Sequence, residues 1–223
     1  MSVAGAAVVA IWNDIADGGR DNFYQWHNRE HMPERLGIDG FLRGRRYIAI
    51  SGAPEFFTLY EVRDHSVLAS KDYLERLNNP TEWTARSIKD FRNVSRSLCD
   101  VDFSSGKASG GLIATLNFDC DPGQDAATMS FIKDACTSVL DRAGMVAAHI
   151  CRADMEASKA KTAEQKNRPE NAVPRWVILL EASTLEAVQS IFSGPLSAKA
   201  VTAAALLQSR QGIYRLEFDL RKA

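Results

Sequence analysis

The sequence predicts an α+β fold in which one βαββαβ unit is followed by a second, the two packing sheet to sheet. Three observations carry this. Apolar runs of strand length alternate with segments of helical spacing, in the same order, in both parts of the chain. A stretch of linker composition, Ser104-Ser105-Gly106-Lys107-Ala108-Ser109-Gly110-Gly111, divides them. With 223 residues, 45% of them hydrophobic, the chain can bury a core beneath both sheets.

The first unit, residues 1–104, opens with an apolar strand at residues 6–12. A Gly- and Asp-rich turn from Asp14 to Asp21 leads into residues 21–31, where Phe23, Trp26, His27 and His31 have helical spacing. Phe41–Ile50 and Phe56–Val62 read as a hairpin about Ser51-Gly52-Ala53-Pro54. Val67, Leu68, Tyr73, Leu74 and Leu77 suit a second helix, and Val94–Phe103 a last strand. After a linker at 105–110, the second unit, residues 111–223, repeats the order. Leu112–Phe118 is a strand, Asp121-Pro122-Gly123 a turn, and Ala126–Arg142 a helix stopped by Gly144. Met145–Arg152 and Trp176–Glu181 are hairpin strands around a polar loop at 154–174; Thr184–Phe192 is a helix and Ile213–Leu220 a closing strand. Extra segments at Asn79–Arg92 and Pro195–Gln208 match in position, which points to tandem duplication although residue identity is slight. Each unit is the split βαβ, ferredoxin-like arrangement, with one bare sheet face. Two such faces close an α+β barrel.

Composition excludes some partners. Twenty-seven basic against 28 acidic residues leave a formal charge of -1, so no field draws nucleic acid or an anionic membrane. The apolar opening lacks a basic start and falls short of the roughly 20 residues of a membrane span. It reads as the first strand of a cytoplasmic protein. Cys99, Cys120, Cys136 and Cys151 show no C-x-x-C spacing, so unpaired and mostly buried thiols are expected rather than a zinc knuckle.

Chemistry concentrates in Trp26-His27-Asn28-Arg29-Glu30-His31-Met32-Pro33-Glu34-Arg35. Proline disfavours a helix at the preceding residue, so the helix should end near Met32 with an exposed His31 in its last turn. There the dipole, Glu30 and Glu34 favour imidazolium, and His31 can serve as a general acid or base tuned by Glu30. A capping histidine is the plainer alternative. His27 precedes His31 by four residues, but Asn28 stands where an H-E-x-x-H zinc helix has its glutamate. No metal or other cofactor is therefore expected, and His27 reads as a packed face residue. His65 should cap or precede the second helix, and His149 should be a satisfied core histidine. On the strand, Arg45 and Tyr47 share one face and Arg46 and Ile48 the other. Since Ile48 and Ile50 suit the helix-covered core, Arg45 and Tyr47 should face the barrel interior, with Arg45 holding a substrate anion. Trp26, Tyr60 and Trp83 would wall the pocket, if they are not simply core aromatics.

Trp26–Arg35, continuing into Gly40–Tyr47, with Tyr60-Glu61-Val62 and Pro80–Thr84, resembles the dimeric α/β-barrel superfamily, especially EthD-like and uncharacterised relatives with a Glu-His-x-Pro helix end. The resemblance covers about the first hundred residues. It implies a small-molecule pocket between helix and sheet with the histidine as its polar group. It does not choose among the superfamily's cyclases, cofactor-free monooxygenases, lactone isomerases, haem enzymes and inactive members. The second unit has no equivalent helix end, so the site should belong to the first. No P-loop, G-x-G-x-x-G or G-x-S-x-G appears, and Gly37-Ile38-Asp39-Gly40 is one residue short of G-x-x-D-G. Three functions fit: a cofactor-independent enzyme acting on a small aromatic or carbonyl compound, a non-catalytic small-molecule-binding protein, and a metal or haem protein. The halves can satisfy each other or exchange partners in a homodimer.

Overall fold

The computed structural model describes residues 3–121, 123–160, 162–166 and 172–222. Pro122 in the expected turn and parts of the 154–174 loop fall outside them. The first unit runs β1 (Ala7–Ile15), α1 (Arg20–Trp26), a π turn (His27–His31), α2 (Met32–Leu36), β2 (Phe41–Gly52) and β3 (Phe56–Val62). A 3-10 turn (His65–Ala69), α3 (Lys71–Asn78), α4 (Glu82–Ser87) and β4 (Phe91–Gly106) follow. Then come β5 (Leu112–Asp119), α5 (Asp125–Leu140), β6 (Met145–Ala153), α6 (Met155–Lys159) and α7 (Ala163–Lys166). The chain finishes with β7 (Trp176–Ala182), α8 (Leu185–Phe192), α9 (Ala198–Ala203) and β8 (Leu207–Arg221).

The strands form one closed antiparallel barrel in the order β1-β3-β2-β8-β5-β7-β6-β4. Within it β4-β1-β3-β2 and β8-β5-β7-β6 are each the ferredoxin-like order, joined at β2–β8 and β4–β6. Closure pairs the strand edges that each sheet would otherwise leave open. Because the inner face packs on itself and the outer face carries helices, β3 and β7 are buried at every residue. This is why they read in the sequence as near-continuous apolar runs, interrupted only by Thr58 and Glu61 in β3 and by Glu181 in β7.

Period-two alternation sorts the core into layers. Trp12, Tyr47, Phe57, Leu59, Val177, Leu179 and Tyr214 fill the interior. Val9, Ile11, Tyr60 and Leu98 face outward to Met32, Leu36 and Leu77 in the first unit. Leu116, Phe118, Ile178 and Leu180 meet Ile132, Val139, Val188 and Ile191 in the second. Ile48 joins the outer layer as expected, whereas Ile50 lies near the end of β2 and is exposed.

One local expectation changes, and that for His65 holds in its second form, since His65 precedes α3 without capping it. The second helix is broken at Ser70, whose extended backbone starts α3 and whose hydroxyl accepts from the Tyr73 N–H. Asp64, not His65, caps the 3-10 turn; His65 instead bridges Asp100 and Asp154 at 3.2 and 3.1 Å. The polar loop after β6 contains α6, capped by Asp154, and α7. The cysteines are free; Cys99, Cys136 and Cys151 are buried, and Cys120 is half-buried. Among the described residues no helix is long and apolar enough to cross a membrane.

Candidate functional site

The helix does not end at Met32. Pro33 lacks the N–H that an α-helix would use there. The chain instead widens into the π turn, in which the Met32 N–H reaches the His27 carbonyl, and resumes as α2 until Gly37. In an α-helix each four-residue step turns about 40° past a full circle, so a stripe at that spacing drifts off its face. The wider π turn counters the drift. His27, His31 and Arg35 consequently all face the sheet and are only 3%, 4% and 3% exposed. His31 is therefore a buried residue in mid-helix rather than an exposed one in a last turn.

The His31 ring lies 4.3 Å from that of Trp26, 5.7 Å from His27 and 6.5 Å, edge-on, from Tyr60. Beneath the helix, the outward row of the sheet is Arg46, Thr58, Ile11 and Arg96, from β2 across β3 and β1 to β4. Two buried guanidiniums thus flank a row that in most helix-covered sheets would be apolar. Arg46 Nη1 lies 3.1 Å from His27 Nδ1 and donates to Asn28 Oδ1, while its Nε meets Glu217 at 3.3 Å. Burial pulls the Arg46 pKa down, with Glu217 acting against it. Arg96 donates to the Tyr73 hydroxyl at 2.7 Å. Arg35 pairs with Glu164 at 2.5 Å and lies over the Tyr73 ring; burial opposes its charge, but Glu164 and neighbouring groups outweigh burial and raise its pKa. Burial also raises the Glu34 carboxyl.

The other expected residues divide. Trp26 and Tyr60 are at this layer, and Trp26 donates to Thr84 at 3.0 Å. Glu30 accepts from Thr81 at 2.6 Å and Thr84 at 3.3 Å, so it braces the start of α4. Trp83, half-buried, donates to Asn22. Arg45 and Tyr47 do face the barrel interior, which puts the sheet between them and His31. One substrate cannot touch both. Alternation along β2 gives the outer side to Arg46, and Arg46 is the arginine that meets the helix.

Inside the barrel Arg45 is already engaged, pairing with Glu61 at 2.7 Å and Glu181 at 3.0 Å. The Gly110 N–H donates to Glu181, the Ala4 N–H to Glu61, and His149 stands between Ser104 and Glu181. His149 is thus the satisfied core histidine expected of it. Arg35, Arg96, Tyr73 and Glu164 were not singled out as site residues. Arg35 could have been, standing four residues after His31; Arg96, Tyr73 and Glu164 come from distant elements and need the tertiary pairing to be found. Among the described residues no three His, Cys, Asp or Glu side chains are grouped to hold a metal ion.

No protein-family model matches the chain, and no curated protein does. Solved structures do resemble it. An anthrone oxidase-like protein superposes with a TM-score of 0.68 at 9% identity, over 100% of this chain and 96% of the other. A candidate monooxygenase from Fusobacterium nucleatum gives 0.62 at 9% identity, over 99% and 96%. A candidate chlorite dismutase gives 0.56 at 10%, over 96% of both. What is shared is the fold. The chain is an α+β barrel of ferredoxin-like fold, and at this identity the likeness carries no residue roles.

Proposed function

We propose that the protein is a cofactor-independent enzyme acting on a small phenol or enolisable carbonyl compound, in the layer between the π-turn helix and the first sheet. The stripe His27, His31 and Arg35 facing Arg46, Tyr60 and Arg96 is the observation that carries this reading. His31 would take the proton from the substrate, and Arg46 would hold the oxygen anion that forms. Such an anion, electron-rich at carbon, is what oxygenation, isomerisation and cyclisation each require. Glu30 would position the helix through Thr81 and Thr84 rather than tune the imidazole. The Glu30-His31-Met32-Pro33 resemblance to EthD-like proteins supports the same location, and the reaction class accords with structural neighbours described as monooxygenase and anthrone oxidase-like.

Trp26, Met32 and Tyr60 fill the layer, so a substrate enters only when the helix lifts. The π turn is the segment suited to that movement. The same filling favours a second reading, a binding protein without turnover. Anthrone as probe, with oxygen uptake and a binding titration, separates them. Turnover by the parent that drops about 100-fold or more in His31→Gln, with binding kept, supports the enzyme. Binding without turnover supports the second reading, and turnover unchanged in His31→Gln removes His31 from catalysis.

A further inference from the structure

A cavity of about 670 Å³ opens at the barrel mouth where β1 ends and β4 and β8 begin, lined by Asp14, Pro54, Asn93, Val94, Arg210 and Gln211 among others. This volume falls in the range of small-molecule sites, and none of the residues that line it lies on the helix segment that carries His31. Its charges are set unusually. Asp14 accepts from the Glu55 N–H at 2.6 Å and from Asn93 Nδ2 at 2.7 Å, so its two oxygens are fixed in place, yet among the described residues no cation pairs with it. Arg210 is exposed and makes no ion pair among the described residues. The two opposite charges share one rim without touching, β1 and β8 being separated in the barrel by β3 and β2.

Next to Arg210 across the β5–β8 ladder stands Asn117. It has the inward parity of Ile113 and Thr115, is 5% exposed, and its amide has no hydrogen-bond partner among the described residues. Its amide atoms are not among the fully buried polar atoms that lack a partner, so water reaches them beside Arg210 and a ligand held there can take the place of that water. The buried Tyr214 hydroxyl donates to the carbonyl of Pro54, a lining residue, and so holds that wall of the cavity in place.

We propose that this mouth is a second binding site, for a zwitterion of amino-acid or dipeptide size with an apolar body. Its carboxylate meets Arg210 and the Asn117 amide, its ammonium meets Asp14, and its body rests against Pro54 and Val94. One charge alone would call for a simple acid or amine. Two opposite charges on one rim, neither of them in an ion pair among the described residues, select a molecule carrying both.

Calorimetric titration with L-leucine and with leucyl-leucine tests this and separates the two sizes. Expected is one-to-one binding of at least one of them, weakened tenfold or more when the ammonium is acetylated or the carboxylate amidated. Arg210→Ala, at an exposed position, should weaken the acid tenfold or more and abolish its advantage over the amide. Asn117→Leu should weaken binding without lowering the urea midpoint, since the amide it removes bonds no other described residue. His31→Gln should leave this binding unchanged, so failure here and failure of the helix-layer site remain distinguishable. No binding by the parent at millimolar ligand, or equal affinity for the zwitterion and its blocked analogues, overturns the proposal.

Discussion

Arg45 is fully buried between two carboxylates, and each of the three groups is tolerable there only because of the others. Glu181 shows the balance. Burial would raise its pKa, but the His149 hydrogen bond, Arg45 and the Gly110 N–H together hold it below its ordinary value of 4.5. A carboxylate whose folded pKa lies below the unfolded one adds stability that is complete above the unfolded value. That stability is lost as pH falls through the lowered folded value. Urea midpoints measured from pH 7 downward should therefore fall more steeply below about 4.5 in the parent than in Glu181→Gln. At pH 7 the variant should be less stable by about 3 kcal/mol, the lower end for breaking a buried pair. Parallel acid slopes would show that Glu181 is not held ionised. The inward facing of Arg45 was legible from alternation along one strand. Its partners were not, because Glu61 and Glu181 lie on two other strands and nothing local joins them.

The helix that carries His31 was legible in its residues but not in its path. Proline was expected to stop it; a change to π geometry let it continue instead and turned three polar side chains toward the sheet. That outcome depends on what the helix rests against. Gly44 on β2 leaves room for α2: a Cβ added there would stand 2.7 Å from Met32 Sδ, 3.0 Å from Leu36 Cδ2 and 3.2 Å from Tyr60 Cδ1. Gly44→Ala should thus cost about 1–3 kcal/mol as an overpacked contact. Amide chemical shifts should change along the π turn and α2 and stay unchanged in α5 and α8. A variant as stable as the parent would mean that the helix has slack over the sheet. The polar loop after β6 was read without a role, because Glu164 meets Arg35 only once the barrel has closed.

The order of elements in both units, and hence the sheet-to-sheet barrel, followed from the sequence pattern. Which strands would form the seams did not, since β2–β8 and β4–β6 pairing is a property of the closed ring. Those seams have a consequence for the whole molecule. The β4-β1-β3-β2 sheet alone would bare Trp12, Tyr47, Phe57 and Leu59, together with Arg45 and Glu61, and would leave β2 and β4 as open edges. The other sheet supplies Glu181 to Arg45, Val177 and Leu179 to the aromatic core, and β8 and β6 to the two edges. Complementarity of charge, shape and edge all favour association of unlike fragments over self-association. Cleavage between Gly106 and Lys107 keeps Ser109 and Gly110 with the second fragment, where Ser109 can still accept from Arg43 and Gly110 donate to Glu181. Co-expressed fragments 1–106 and 107–223 should elute together as a one-to-one complex by light scattering, whereas 1–106 expressed alone should aggregate. A first fragment that is soluble and monomeric by itself would mean that its inner face is stable without the second sheet, and the barrel interior would no longer account for the stability of the chain.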